Sequence, residues 1–363
     1  MKEKKYLNKM YLNLNNALII LFLSASFVFD LQAQTGGRHV YEFLGLPVSA
    51  RVSGLGEKLI SVADQDVNLA GANPAALNDL MHQQLSVNHR FLFSGIQHGY
   101  FTYANKLPFK DMMIHGGIQY IRYGEFIAAD FFGNREGTFT ANESALNVGI
   151  SKLVNERIRV GLNTKLIQSR FESYQSFGLG FDLGMMYSNP EKKSTAGLVF
   201  KNIGFQFNTY ADERESIPFD IQLGYSKRLA HLPFRYSITA FQLHRWNLIY
   251  NDPDGEQNSI NFGDEGTDSR FSVIADNIFR HLIFSGEFLL GKSENIQLRF
   301  AYNHLRRKEL AVSNYIGNGG FSVGAGIKFG KFKLDYAYSM YHLAGGSSHV
   351  GLAWNMDAFM KRF

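Results

Sequence analysis

The sequence has no cysteine and only seven prolines among its 363 residues. Without cysteine, the chain can form neither a disulfide framework nor a metal site built on thiolates. Its mean hydropathy is slightly negative, which argues against a bundle of transmembrane helices. These absences exclude disulfide-stapled domains and helical membrane proteins.

The chain also lacks a strong excess of charge of one sign. It has 37 basic and 32 acidic residues, a formal net charge of +5. The first 33 residues contribute part of that excess, so the remainder carries about +3, far from the footprint of a nucleic-acid-binding protein. We therefore expect no nucleic-acid partner. The one dense basic cluster, which we interpret as a candidate loop for a surface partner, is Arg306, Arg307 and Lys308.

Aromatic residues and glycine are abundant instead. The chain contains 32 phenylalanines, 18 tyrosines and 35 glycines, and 45% of its residues are hydrophobic. A composition rich in aromatic residues is more typical of β-strands than of helices. Length and apolar content together suffice for one large domain.

The first 33 residues have the pattern of an export signal. Four lysines, at positions 2, 4, 5 and 9, precede the apolar run Ala17–Phe29, and the small residue Ala33 precedes the expected cleavage site. The run is shorter than the roughly 20 residues that a transmembrane helix needs. We predict residues 1–33 to be a signal peptide. A retained membrane anchor is the alternative.

From Gln84 onward, apolar and polar residues alternate with the period of two that indicates β-strands. In the segment 158–166, for example, large apolar residues alternate with arginine, glycine, asparagine and lysine. Fourteen such segments follow one another, and a closed bacterial barrel usually has an even number of strands. We predict an all-β fold, a 14-stranded antiparallel transmembrane β-barrel at residues 84–356, followed by a tail at 357–363.

A soluble β-sandwich also alternates, and loop lengths separate the two folds. Connections after even-numbered strands are mostly short, whereas those after odd-numbered strands are mostly long, including 121–143, 203–218 and 244–280. Short turns at one end and long loops at the other are typical of outer-membrane barrels. We therefore predict an outer membrane location, with the long loops extracellular.

Residues 34–83 do not alternate. Gly54–Leu80 is rich in small residues and is interrupted by Pro74. We predict that 34–83 forms a short helical hatch, or plug, in the barrel lumen, and that its aspartates and Asn73 cap short helices. The hatch residues to which we assign a structural role are Arg51, Asp64, Asp66, Asn73 and Pro74.

The polar face of the strands carries many glycines and mixed charges. Glycine inside a strand often marks a close approach by other backbone, so these glycines make room for the hatch in our interpretation. The charges either hold the hatch or line a small wet lumen. The lumen-facing charges that we predict are Arg90, Arg159, Lys165, Asp182, Glu287, Arg299 and Asp335.

No catalytic constellation emerges. Gly178–Gly184 resembles a dinucleotide loop, but its spacing is wrong and it lies within a strand. Asn251–Glu256 has the composition of a calcium loop without EF-hand spacing, although weak binding of a divalent ion stays open. Ser347 and His349 lack the Gly-x-Ser-x-Gly elbow of a nucleophilic serine. We predict a protein that is not an enzyme and has no cofactor.

Five stretches carry a family resemblance: Tyr41–Arg51, Asp66–Ala70, Asn73–Leu77, Asp276–His281 and Arg306–Leu310. The Asn-Pro-Ala run, followed by fourteen strands, is similar to the superfamily of outer-membrane barrels related to the long-chain fatty-acid transporters. Together the stretches resemble the PorQ family of the type IX secretion system of Bacteroidota.

The resemblance implies a non-enzymatic component of the complex that attaches secreted cargo to anionic lipopolysaccharide. Its implied partners are a PorZ-like surface protein, which the barrel would anchor, and PorU-like and PorV-like proteins. Outer-membrane lipid and lipopolysaccharide are further expected contacts. The alternative is an outer-membrane transporter of a hydrophobic ligand, such as a long-chain fatty acid.

Overall fold

A computed structural model describes residues 39–108, 111–211, 213–249, 270–310, 318–342 and 345–356. All of these residues belong to one compact unit. The predicted signal peptide at 1–33, the tail at 357–363 and the candidate calcium loop at 251–256 lie outside the described residues.

Within the described residues, fourteen antiparallel strands form a closed barrel, as predicted. Each strand pairs with its neighbours in chain order, and the first pairs with the last. Closure leaves no unpaired sheet edge, so the soluble sandwich is excluded. The strands are β1 Gln84–Phe91, β2 Gln97–Lys106, β3 Met112–Ala129, β4 Arg135–Leu153, β5 Ile158–Phe171, β6 Tyr174–Asn189, β7 Ser194–Asn208, β8 Asp220–Arg228, β9 Phe234–Ala240, β10 Leu282–Leu290, β11 Ile296–Asn303, β12 Phe321–Phe329, β13 Phe332–His342 and β14 Gly345–Asn355.

The barrel is apolar outside and polar inside. On β5, Leu166 is exposed on the outer surface, whereas its neighbours Lys165 and Ile167 are buried in the lumen. The same alternation gives large exposed apolar residues on the other strands, such as Leu183 on β6 and Leu298 on β11. Successive side chains of a strand point to opposite faces, so the period of two in the sequence produces an outer apolar belt typical of membrane barrels.

The barrel wall is much taller on one side than on the other. Strands β3 and β4 contain 18 and 19 residues, whereas β9 contains 7. The predicted long loop at 121–143 is therefore wrong, because the hairpin of β3 and β4 occupies most of it and turns at 130–134. A register shift between Arg122 and Glu125 breaks the alternation there, as β-bulges do, which hid the strands from the pattern.

The hatch consists of short helices inside the barrel. They are α1 (Ala50–Gly54), α2 (Leu69–Ala72) and single 3-10 turns at Glu42–Gly45, Pro74–Ala76 and Asp79–Met81. Apolar hatch residues pack with residues of the barrel wall in two core clusters, one that includes Leu69 and Met81 and one that includes Phe43 and Leu44. The hatch runs along the lumen from one rim, where residue 39 bridges residue 216, to the other, where residue 79 pairs with residue 106.

Two further helices lie at the rim that carries the connections after odd-numbered strands. Helix α3 (Arg270–Arg280) precedes β10, and α4 (His304–Glu309) follows β11. The two helices contact each other through an ion pair between Lys308 and Asp276, 3.5 Å apart. In the part of the chain that the structure describes, no helix is long and apolar enough to cross a membrane.

Candidate functional site: the filled lumen and the loop rim

A network of buried charges, which we call the Arg51 network, joins the hatch to the barrel. Arg51 of α1 donates to Asp64 at 2.7 Å and to Asp66 at 3.2 Å, both in the hatch. It also donates to Glu287 of β10 at 2.9 Å. A buried charge is tolerated only when it is paired, so these contacts fix α1 against the wall.

The wall completes the network. Glu287 accepts from Arg299 of β11 at 2.8 Å and from Arg235 of β9 at 3.2 Å. Arg299 also pairs with Asp335 of β13 at 2.7 Å, and Lys333 lies 3.0 Å from the same carboxylate. The network thus matches four basic groups with four carboxylates: Arg51, Arg235, Arg299 and Lys333 with Asp64, Asp66, Glu287 and Asp335.

The charge balance sets the protonation of the hatch carboxylates. Burial alone would raise the pKa of the Asp64 carboxyl, but the Arg51 guanidinium beside it holds that pKa well below its usual range. Asp64 also accepts from Arg235 at 3.0 Å. It therefore stays ionised at neutral pH, and the ion pairs persist.

On β5, β6 and β8 the hatch also comes very close to the strand backbone at glycines. A Cβ at Gly161 of β5 would overlap the backbone of Pro74, and one at Gly184 of β6 would overlap the Asn73 side chain. On β8, a Cβ at Gly224 would lie 3.0 Å from the Ser61 side chain. The prediction that such glycines make room for the hatch is confirmed at these positions. Others, such as Gly149, face lumen side chains instead.

The hatch caps differ from the prediction. Asn73 accepts from the Ala75 N–H at 2.9 Å and so caps the 3-10 turn at Pro74–Ala76, as predicted. Asp64 and Asp66 are not helix caps, because α2 begins after Asn68 without a side-chain cap. Their carboxylates bind Arg51 instead, since an unpaired buried guanidinium would cost more than an uncapped short helix.

A second charged contact links the hatch to the loop rim. Glu57 pairs with Arg90 of β1 and with Arg306 of α4, and it accepts from the Tyr341 hydroxyl at 2.6 Å. Arg90 is fully buried and also donates to Ser347 at 3.0 Å. The hatch is therefore tied to an outer helix as well as to the strands.

The remaining predicted lumen charges lie elsewhere on the wall. Lys165 pairs with Asp182 at 2.8 Å and donates to Asn202 at 2.7 Å, which joins β5, β6 and β7 to one another. Arg159 lies 3.6 Å from Asp79 of the hatch, near the short-turn rim. These groups contribute to separate local contacts and are not members of the Arg51 network.

The three basic residues of the candidate surface loop lie on α4, and each has a partner within the chain. Arg306 binds Glu57. The Arg307 guanidinium lies 5.9 Å from the centre of the Phe321 ring, a cation–π contact. Lys308 pairs with Asp276 of α3.

Sequence reasoning missed two features. Glu57 lies outside the alternating segments, so the period of two gives no signal for it. Its one local mark is the preceding Gly56, which has a left-handed backbone conformation. The tip of the hairpin of β3 and β4 is aromatic, with Phe131 99% and Phe132 87% exposed. Within the described residues, no three side chains of histidine, aspartate or glutamate are grouped to hold a metal ion.

No protein-family model matches the sequence, and no curated protein matches it in sequence. Among solved structures, it is similar to the deltaS2 mutant of the TodX monoaromatic hydrocarbon channel. The TM-score is 0.51 with 10% identity, over 86% of this chain and 98% of that one.

A FadL homologue of Pseudomonas aeruginosa has a TM-score of 0.49 with 12% identity, over 85% of this chain and 98% of that one. The toluene transporter TodX of Pseudomonas putida has a TM-score of 0.49 with 10% identity, over 85% and 96%. At such low identities, likeness concerns the fold alone. The chain shares with the TodX channel mutant the fold of a closed barrel.

Proposed function

We propose that the protein is a non-enzymatic anchor in the outer membrane, a component of the type IX secretion attachment complex that holds a PorZ-like surface partner. The observation that carries this proposal is the way the hatch is held. Ion pairs join it to β9, β10 and β13, and close contacts with strand backbone join it to β5 and β6. A plug fixed on both sides rigidifies the barrel. A rigid barrel holds its outer hairpins and loops in a fixed arrangement, which a bound partner needs.

The long hairpin of β3 and β4 offers the surface for the partner. Arg122 faces outward on β3 where the apolar belt of that strand ends, and the hairpin continues to Ala129, about 20 Å further along the strand. Near the tip, Phe126 stacks on Phe139 with ring centres 5.2 Å apart. Exposed aromatic clusters mark protein interaction sites, so we assign the partner contact to this tip.

The test is co-purification from native Bacteroidota membranes. We expect the double variant F131S/F132S to lose the PorZ-like protein, while the barrel itself stays folded. The matched control is L153S/V154S, a pair of exposed apolar residues at the opposite rim, which should retain the partner. Equal recovery of the partner with both variants would refute the tip as its binding site.

The second candidate function is a channel for a hydrophobic ligand. It is favoured by the fold shared with a TodX monoaromatic hydrocarbon channel mutant. A channel needs a hatch that moves, whereas an anchor does not. Locking the hatch should therefore abolish the channel function and leave the anchor function intact.

A disulfide can lock the hatch, and the absence of other cysteines makes the chemistry clean. A Cβ at Gly351 of β14 would lie 3.6 Å from the Ala50 Cβ of α1, within the Cβ–Cβ range of a disulfide, so the variant A50C/G351C can form the bridge. In the oxidised variant, the anchor function predicts unchanged partner recovery. If wild-type cells take up a hydrophobic compound, and cells with the variant lose that uptake on oxidation and regain it on reduction, the channel is favoured instead.

A further inference from the structure

Helix α3 exposes an apolar face at the loop rim. Phe271 is 80% exposed, Ile274 50% and Ile278 43%, and their spacing puts them on one side of a helix. Next to this face the helix is fixed to the segment that follows β9, because the buried Asn277 side chain donates to the Trp246 carbonyl at 2.6 Å and accepts from the Leu248 N–H at 3.0 Å. The apolar face is therefore turned away from the protein.

This face is continuous with the outer belt of the barrel. The Phe279 ring lies 6.2 Å from the ring of Phe284, which faces outward on β10. In register beside Phe284 stand Ile238 of β9 and Tyr302 of β11, whose side chains face the same side. A surface that continues a lipid-facing belt meets the same lipid.

A tryptophan marks the level of the membrane interface. Trp246 is 68% exposed and lines a groove with Val273 and Ile274 of α3. Tryptophan concentrates where the acyl region meets the headgroups, since its ring is apolar and its N–H is polar. Helix α3 thus has the features of an amphipathic helix that lies in the interface plane.

Cations stand on the neighbouring helix α4, at the edge of the outer belt. Arg307 of α4 covers the outward-facing ring of Phe321, and the Lys308 side chain is 43% exposed. The two helices together carry more basic groups than carboxylates, and Asp276 is shared between Arg280 at 2.7 Å and Lys308 at 3.5 Å, so its single charge cannot balance both. The described basic groups are Arg280, Arg306, Arg307 and Lys308, and the two carboxylates are Asp276 and Glu309.

We infer that the rim formed by α3 and α4 binds an anionic lipid of the outward leaflet, with its phosphate at Arg307 and Lys308 and its acyl chains along the apolar face of α3. Arginine and lysine are the side chains that recognise phosphate. The inference rests on the membrane location within the proposed function and is independent of the PorZ-like partner. If the PorZ-like partner is refuted, the lipid site can still be tested, and the converse also holds.

The two tryptophans allow a direct test, because W354F leaves Trp246 as the sole tryptophan. The single-tryptophan protein is placed in nanodiscs that contain a small fraction of brominated lipid in unbrominated phosphatidylcholine. Bromine quenches tryptophan fluorescence only on contact. We expect brominated phosphatidylglycerol to quench Trp246 more than brominated phosphatidylcholine does, with an enrichment of about fivefold for each basic residue near the phosphate.

The variant R307Q/K308Q should abolish the difference between the two brominated lipids and keep the quenching itself. Its control is K192Q/K193Q, two exposed lysines in the short turn at the opposite rim, which should keep the preference. Heat-modifiable migration on gels checks that every variant folds. Absence of quenching by either lipid would overturn the inference. Equal quenching by the two brominated lipids in the parent protein would also overturn it. Loss of the preference on adding inorganic phosphate would overturn it too, because that result would indicate a site for the free ion.

Discussion

The two walls that enclose the hatch hold it by different physical means. On β9–β13 the main contacts are ion pairs, centred on Arg51 and Glu287. On β5–β8 the tightest contacts are close approaches of the hatch to glycine, as at Gly161 and Gly184, beside the more exposed pairs of Arg159 with Asp79 and of Lys58 with Asp220. The ion pairs fix which carboxylate faces which base, whereas the glycine wall fixes how near the hatch can stand.

This difference predicts which kind of substitution should destabilise each wall. A buried ion pair is sensitive to loss of one partner, because the other charge is then left in a poorly solvated place. A glycine wall is sensitive to added volume, because close-packed backbone cannot move aside. Opposite kinds of substitution should therefore weaken the two walls.

The largest effect should follow Arg51→Met, which leaves the Arg51 network with one carboxylate too many. We expect a loss of about 3 kcal/mol in the free energy of unfolding, within the range for a broken buried pair. Urea unfolding in detergent, followed by heat-modifiable migration, measures it. The double variant R51M/E287L restores the balance of charge and should recover part of the loss. A double variant that is less stable than the sum of the single changes would contradict this account.

The next effect should follow Gly161→Ala on the glycine wall. The added methyl overlaps the Pro74 backbone, and overpacking of this kind costs about 1–3 kcal/mol. The same urea experiment applies. Gly116→Ala on β3 is the matched control, because a Cβ there meets nothing within 4 Å. Equal costs for the two alanines would show that the hatch does not press on this wall.

A smaller, pH-dependent effect should arise at Glu57. Burial raises its pKa, but Arg306 and Arg90 outweigh burial and lower it to about 2. Because the folded pKa lies below the unfolded value, the stabilisation is complete above about pH 4.5 and is lost as the pH falls toward 2. The hydrogen-exchange protection factors of α4, which correct for the intrinsic pH dependence of exchange, should fall over that window in the native protein. In E57Q they should be low at every pH, and persistence of the transition there would point to another group.

The smallest effect should follow Arg228→Ala, which breaks a pair with Glu294 at the short-turn rim. The Arg228 side chain is 37% exposed, and exposed pairs contribute roughly 0–1 kcal/mol. The urea midpoint should move little. A loss as large as that of Arg51→Met would mean that burial does not separate the two classes of ion pair.

Much of the fold could be predicted because its signals are local. The period of two gives the strands, and an even number of them gives closure. The outer part of the hairpin of β3 and β4, predicted as a loop at 121–143, was missed because a shift in register after Arg122 breaks the period. Asp64 was interpreted as a cap because short-range rules favour aspartate there, whereas its partner Arg235 lies 171 positions away.

The sequence by itself determined that a small-residue segment precedes an inside-out barrel and that the polar face leaves room for it, since glycine and alternation act within a few residues. Only the tertiary structure decided which charges meet. Arg51 and Glu287 are 236 positions apart, and their contact depends on the register of closure and on where the hatch lies in the lumen. Those are properties of the whole barrel, because every strand pairing contributes to the position of every lumen side chain.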